Sequence, residues 1–367
     1  MVRGFAAHHV QKRRLLEGLR PSKPPDCLRS SKKKSMQRSD YIIRRLGWAL
    51  FTIIFVVVLN FFMFRVLPGD PAKAGIRDPR LTVQAQQAIR ERFGLDKPLV
   101  ISTTGNPLDS QFFLYFRNLL RGDLGISYNF NRPVSDLLGE RLVNTVLLVA
   151  LGQGLAIVIG LALGVYAAWR RGTTPDAGAL IFGLVTWSLP TFFLGIILLI
   201  IGSSRFGLPV GGIRTAGKVF ASEWDRWIDI GRHLILPTIT LTIIYLGEYL
   251  LIMRSSLLEV LGEDYILTAK AKGMTDSRIL RDHALKNAML PVVTIIALTL
   301  GFTIAGAIQV ETVFSWPGLG STIFEAVGRR DYPMLQGAFL LLAISVVIAN
   351  LSADLLYTFL DPRVNAA

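Results

Sequence analysis

The stretch DYILTAKAKGMTDSRILRDHALKNAMLP, Asp264 to Pro291, lies between two strongly apolar segments, and its reading decides the fold. It is rich in Lys, Arg and Asp, holds one glycine, and has no proline before its last residue. Helix-favouring residues run from Ser255 to Lys272, and Gly273 supplies the permissive backbone that ends a helix. Thr275, Asp276 and Ser277 are N-cap candidates for a second helix through Asn287, and Pro291 marks entry into the next apolar run. On that second helix Ile279, Leu280, Ala284 and Met289 fall to one side, with Arg278, Arg281, Asp282 and Lys286 more solvated. A floppy linker has no reason to avoid Pro and Ser/Gly clusters over such a length. Residues 254–288 are therefore expected to form two helices meeting at a glycine, outside a membrane.

The membrane is implied by what flanks this connector. The chain has 367 residues, 51% hydrophobic and 18% charged, against about a quarter charged for an average soluble domain. Its mean hydropathy is +0.45, and its apolar residues are bunched into runs near the roughly 20 residues that a span requires. Such runs fall at about 46–67, 142–168, 178–201, 234–253, 289–310 and 334–360. The expected fold class is an all-α polytopic membrane protein with six transmembrane helices.

Charge distribution gives the orientation. Residues 1–45 hold thirteen Lys and Arg against Glu17, Asp26 and Asp40, so most of the net +14 is one tail. Residues 1–40 read as a basic, disordered cytoplasmic tail able to meet anionic lipid headgroups. It has almost no aromatic residues for base stacking, so no nucleic acid is expected as a partner. The tail, WRRGTTPD, the 254–288 connector and DPRV lie on one side of a six-span topology, with 22 of the 40 basic residues. That side is expected to be cytoplasmic, with both termini on it, which makes residues 68–141 an external subdomain.

Catalytic chemistry is hard to place in this chain. Cys27 is the lone cysteine and the four histidines form no metal-spaced cluster, so no metal site and no catalytic residue is expected. GIRTAGKV, Gly212 to Val219, matches half of a phosphate-binding loop, but Val219 stands where the motif needs Ser or Thr for magnesium. Glu248 and Asp354 are the carboxylates inside spans, placed near their cytoplasmic ends. They read as pathway-lining candidates, because a charge at mid-bilayer costs at least about 2.5–3.5 kcal/mol. Pro190, Pro237, Gly301 and Gly306 are expected at kinks and close helix contacts. Two other classes make demands of their own. A stand-alone ion-coupled carrier needs charges near mid-bilayer or a visible internal repeat, and an intramembrane enzyme needs a nucleophile with a partner at matching depth.

The connector resembles the EAA loop of bacterial importer permeases of the ATP-binding-cassette superfamily. Asp264, Tyr265, Thr268, Ala269, Ala271, Lys272, Gly273, His283, Ala284, Leu285, Asn287 and Ala288 match its peptide-transporter version. The likeness extends from about residue 41 to the end through LPGDP, GDLGISY, RPV, SLPTFFLG, HLILPTITL, ETVFSWPGLG, RRDYPMLQG and DLLYTFLDPR, in that order. The chain is similar to the first permease subunit of dipeptide and oligopeptide importers, with nickel and glutathione importers as related alternatives. It departs from the general loop at Leu267, where the name-giving glutamate stands, and at Lys286, where a proline is usual; outside the loop, SSRFGLPVGG departs from the family's usual Leu-Gly-Trp-Leu-Pro after the third span.

The resemblance implies that residues 41–367 form a permease domain, half of a translocation path for peptides. Its implied partners are a second homologous permease subunit, two ATPase subunits and an external substrate-binding protein, in a bacterial inner membrane. ATP and Mg would be bound by the ATPase subunits and no cofactor by this chain. ATPase coupling would fall to the matched residues from Asp264 to Asn287.

Overall fold

The computed structural model describes residues 38–66, 84, 87, 97–100 and 108–360. The basic tail up to residue 37, LPGDP with most of 68–107, and the terminal DPRV lie outside the described residues. Among the described residues the fold is helical, with no strand and one isolated antiparallel bridge, Ile126 to Pro133.

The helices are α1 (Arg38–Val66), α2 (Gln111–Leu120), α3 (Val134–Trp169), α4 (Thr174–Ser188), α5 (Thr191–Phe206), α6 (Glu223–Leu261), α7 (Asp264–Ala271) and α8 (Asp276–Ile279). A π-helical stretch, Leu280–Ala284, follows, then α9 (Leu285–Gly306), α10 (Ile308–Val313), α11 (Leu319–Arg329) and α12 (Tyr332–Leu360). Within α1, α3, α6 and α12 there are segments long and apolar enough to cross a membrane, and α4 with α5 passes the same test as a bent pair.

The apolar runs set the position of each helix but not its length. At about 1.5 Å per residue, the 39 residues of α6 span about 58 Å, well beyond a hydrocarbon core of about 30 Å. Ser222 caps its start by accepting from the Asp225 N–H at 3.1 Å, with Glu223 and Asp225 favourably placed in the first turn. At the other end Arg254–Leu261 continues the helix, because nothing in RSSLLEVL breaks it. The helix therefore does not stop at Met253, where the apolar run ends, and its C-cap is Gly262. The helix α3 likewise starts at Val134, ahead of the apolar run.

The two prolines act differently. Leu189, ahead of Pro190, takes extended backbone (ψ 131°), and α4 and α5 meet at 103° instead of forming one straight span. Pro237 stays inside the continuous α6.

Close packing is set by small residues. On one face of α3 lie Gly152, Gly160 and Gly164; the backbone of α6 presses against Gly160 and Gly164, and the Leu241 side chain against Gly152. A methyl at Gly160 would come 2.9 Å from Tyr249 Cβ, and one at Gly164 would come 2.7 Å from the Leu250 carbonyl oxygen. Gly301 and Gly306 lie where the side chains of α9 are outside the described residues.

Buried apolar clusters fill the bundle from end to end. At one end Phe64, Val134, Leu137, Leu319, Ile323 and Met334 pack together. At the opposite end Ala168, Met253 and Leu257 meet Ile266, Ala269, Ile279 and Ala284 of the connector.

Candidate functional site

The connector folds as an elbow laid flat against the bundle end. In α7 Ile266 and Ala269 are buried, one helical turn apart, while Asp264, Tyr265, Leu267, Thr268, Lys270 and Ala271 face outward. Lys272 is the C-cap, and Gly273 takes φ +75°, in the left-handed region. The Gly273 N–H donates to Lys270 O at 2.9 Å and the Met274 N–H to Ala269 O at 3.3 Å. These are the two bonds of a Schellman motif, which closes a helix on a left-handed residue. A Cβ at Gly273 would meet nothing within 4 Å, so backbone conformation and not space demands glycine here.

Beyond the elbow, α8 is a single turn whose N-cap residue, Thr275, makes no side-chain cap bond. The chain then passes through the π stretch, where Leu285 N–H bonds to Leu280 O, and continues into α9 without a break. The expected second helix is therefore continuous with the helix that follows it, and Pro291 lies inside α9 instead of at its entrance. A π turn shifts the buried face, so that Ile279, Ala284 and Ala288 all point into the same cluster.

The loop residues expected to act together separate into two sets. Ala269 and Ala284 are buried and Leu285 is half-buried, so they anchor the elbow to α3, α6 and α9. Asp264, Tyr265, Thr268, Ala271, Lys272, Gly273 and Asn287 are exposed, and His283 is half-buried. Tyr265 and Asn287, 22 residues apart, are joined across the elbow: Asn287 Nδ2 donates to Tyr265 Oη at 2.8 Å and to His283 O at 3.2 Å. Thr268 Oγ1 donates back to Asp264 O at 3.0 Å, inside α7. Leu267 stands 68% exposed, an apolar side chain facing solvent at the position where the loop it resembles carries its name-giving glutamate. The Arg281 guanidinium beside Asp282 holds its carboxyl below the usual carboxylate range, and Arg278 adds to this. The outer face is thus rigid, mixed in polarity and unoccupied by any other part of the described chain.

The other candidates fall elsewhere. Glu248 lies on α6, half-buried and 13 residues before the helix end at Leu261. Asp354 lies on α12, and its side chain is outside the described residues. In GIRTAGKV the Thr215 N–H and Oγ1 donate to Asp229 at 2.7 and 2.8 Å, and Lys218 Nζ approaches it at 3.5 Å. That loop is pinned to the start of α6 by its own phosphate-loop-like residues.

Sequence reasoning passed over two carboxylates at the far end. Glu311 is fully buried: Thr145 Oγ1 donates to it at 2.6 Å and the Ser321 N–H at 2.8 Å. Leu319 N–H donates to Thr145 Oγ1 at 2.8 Å, Asn144 Nδ2 to Pro317 O at 2.8 Å, and Trp316 Nε1 to Asn144 O at 3.0 Å. Gly318 must be glycine, since a Cβ there would stand 2.2 Å from the Glu311 carboxylate. Asp331, also buried, accepts from Ser127 Oγ and from the N–H groups of Tyr128, Asn129 and Met334. Both lie in strings quoted above, and the signal was a carboxylate five residues before a Trp-Pro-Gly turn or directly before a Tyr-Pro step.

A helical bundle with several segments long and apolar enough to cross a membrane, and with a packed elbow at one end, defines a polytopic membrane component. The chain belongs to the family described as binding-protein-dependent transport system inner membrane component, whose profile matches residues 160–366. The companion N-terminal membrane-component profile matches residues 38–149. It is 38% identical over 342 residues to the dipeptide transport system permease protein DppB of Escherichia coli (strain K12), covering 88% of this chain and 98% of that protein. It is 36% identical over 325 residues to the glutathione transport system permease protein GsiC of Escherichia coli O6:H1, with 89% and 98% covered. A solved structure titled "Inward facing conformations of the MetNI methionine ABC transporter" shares 18% identity with a TM-score of 0.49, covering 61% of this chain and 96% of that one. The protein is thus a multi-pass inner-membrane component of a multi-subunit transport system.

Proposed function

We propose that this chain is the permease subunit of an ATP-driven importer of dipeptides or oligopeptides, forming half of a translocation path. The observation that carries the reading is 38% identity over nearly the full length of a dipeptide permease, joined to an outward-facing elbow at Gly273 built for a partner. A second, homologous permease supplies the other half of the path, and six spans in this chain place both termini in the cytoplasm. Two ATPase subunits dock on the Asp264–Asn287 elbow and hydrolyse ATP, while this chain has no ATPase site of its own. An external substrate-binding protein delivers the peptide at the opposite face, near residues 68–141. Glu248, half-buried on α6 with no hydrogen bond or ion pair to a described residue, lines the path together with Asp354.

Glutathione is the second substrate reading, because a glutathione permease is nearly as similar as the dipeptide one; nickel is the third. The test is expression of the full chain with its genomic neighbours, followed by purification through a tag on this subunit. ATPase subunits and a second permease should co-purify, and proteoliposomes should take up labelled dipeptide in the presence of ATP. Uptake by the isolated chain without ATP would overturn the reading in favour of a stand-alone carrier. Uptake of glutathione or nickel but not dipeptide would move the substrate while keeping the architecture.

A further inference from the structure

Directly behind the connector lies a buried ion pair that no part of the elbow uses. Arg254 Nε donates to Asp176 Oδ1 at 2.6 Å and Nη2 to Oδ2 at 2.9 Å, a two-point contact. The same carboxylate accepts the Gly172 N–H at 2.9 Å. Asp176 sits in the first turn of α4, Gly172 in the turn between α3 and α4, and Arg254 on the part of α6 that runs into the connector. One side chain therefore ties three segments together at the base of the bundle. Their side chains are 5% and 17% exposed, so separating them leaves a charge in a poorly solvated place. The ion pairs of the connector itself, Arg281–Asp282 and Arg278–Asp282, carry guanidinium groups that are mostly exposed.

The pair completes a seam that continues along the helices. A methyl at Gly164 would stand 2.8 Å from Met253 Cβ and 3.2 Å from the Arg254 nitrogen, so α3 and α6 touch by backbone just above it. A methyl at Gly247 would stand 2.7 Å from the Gly183 carbonyl oxygen, which brings α6 equally close to α4. On the other side of the elbow the chain leaves through a π stretch and a helix with Pro291 inside it. Irregular hydrogen bonding of that kind bends more readily than a regular helix. The elbow thus has one stiff exit, through α6, and one compliant exit, through α9.

We infer that Asp176 and Arg254 are positioning residues for energy coupling: they lock α4 to α6, so a displacement of the connector is carried into α4 and its bent partner α5. The inference rests on the proposed docking of ATPase subunits on the elbow. Without the lock, α6 slides past α4, and the push is lost at the base of the bundle.

The experiment uses the complete complex, purified through this subunit and reconstituted in proteoliposomes, with dipeptide uptake and ATP hydrolysis measured side by side. The double variant Asp176→Asn with Arg254→Gln removes both charges together and leaves none unpaired, and Arg254→Lys keeps the charge but not the two-point contact. Expected is an intact complex that still hydrolyses ATP, with uptake per ATP reduced about tenfold in the double variant, a loss worth about 1.4 kcal/mol of coupling. Arg254→Lys should fall between it and the unmodified complex. An unchanged ratio in an intact complex overturns the inference alone, and so does failure of the double variant to assemble, which makes the pair a folding element. Absence of ATPase subunits from the unmodified complex overturns the docking reading, and the inference with it.

Discussion

At one end of the bundle, Glu311, Thr145, Asp331 and Ser127 hold their polar atoms among partners of the same chain, fully buried or nearly so. At the other end, Asp264, Thr268, Lys272 and Leu267 turn outward while alanines and isoleucines beneath them meet the helices. The first end is a plate that is complete in itself, and buried polar groups satisfied in this way rigidify and specify one arrangement. The second is an elbow whose outward side chains bond only within the elbow itself, as Thr268 does to Asp264 O and Asn287 to Tyr265. In the proposed reading a second protein meets that outer face, which would assign stability to one end and communication to the other.

The contrast breaks most visibly at Glu311. Glu311→Ala removes an acceptor shared by Thr145 and the Ser321 N–H, and should cost about 3–5 kcal/mol, since each buried donor left unpaired costs about 1–3 kcal/mol. Thermal unfolding of the purified chain in detergent should shift strongly downward; an unchanged transition would mean the far end is not the rigid one. Next comes Gly273→Val, which forces a β-branched residue to φ +75° at a cost of about 1–3 kcal/mol. Uptake should fall sharply while the protein remains in the membrane. Gly273→Asn, which tolerates left-handed backbone, should be much milder, and equal effects from the two would point away from backbone conformation.

Smaller still in stability is Leu267→Asp at an exposed site. It should leave unfolding unchanged yet weaken co-purification of ATPase subunits, because it removes an apolar contact from the outer face. A drop in stability with docking intact would reverse the roles given to the two ends. The smallest effect belongs to Asp282→Asn, which breaks only exposed pairs with Arg278 and Arg281. Neither unfolding nor uptake should change measurably.

Much of this was legible before any coordinates. Apolar runs located the helices because a hydrocarbon slab imposes a minimum length. Gly273 was legible because a helix end inside a charged, proline-free stretch needs a residue that takes positive φ without cost. Helix ends were harder, since the apolar run stops at Met253 while nothing in RSSLLEVL stops the helix, which continues to Leu261. The division of the loop into anchors and outward residues was also hidden, because the π stretch changes which positions share a face.

The sequence by itself determined a helical membrane component of a binding-protein-dependent transport system, and a glycine-hinged connector between two of its spans. These follow from local properties: hydropathy over a span's length, helix and turn propensity, and the order of short motifs. Tertiary structure alone decided that Tyr265 meets Asn287, that Thr145 meets Glu311, and that Asp176 meets Arg254, residues separated by 22, 166 and 78 positions. No local preference encodes such pairs. They form only because apolar burial and glycine-to-backbone contact bring the helices into register, and a buried polar group then accepts whatever partner the packing presents.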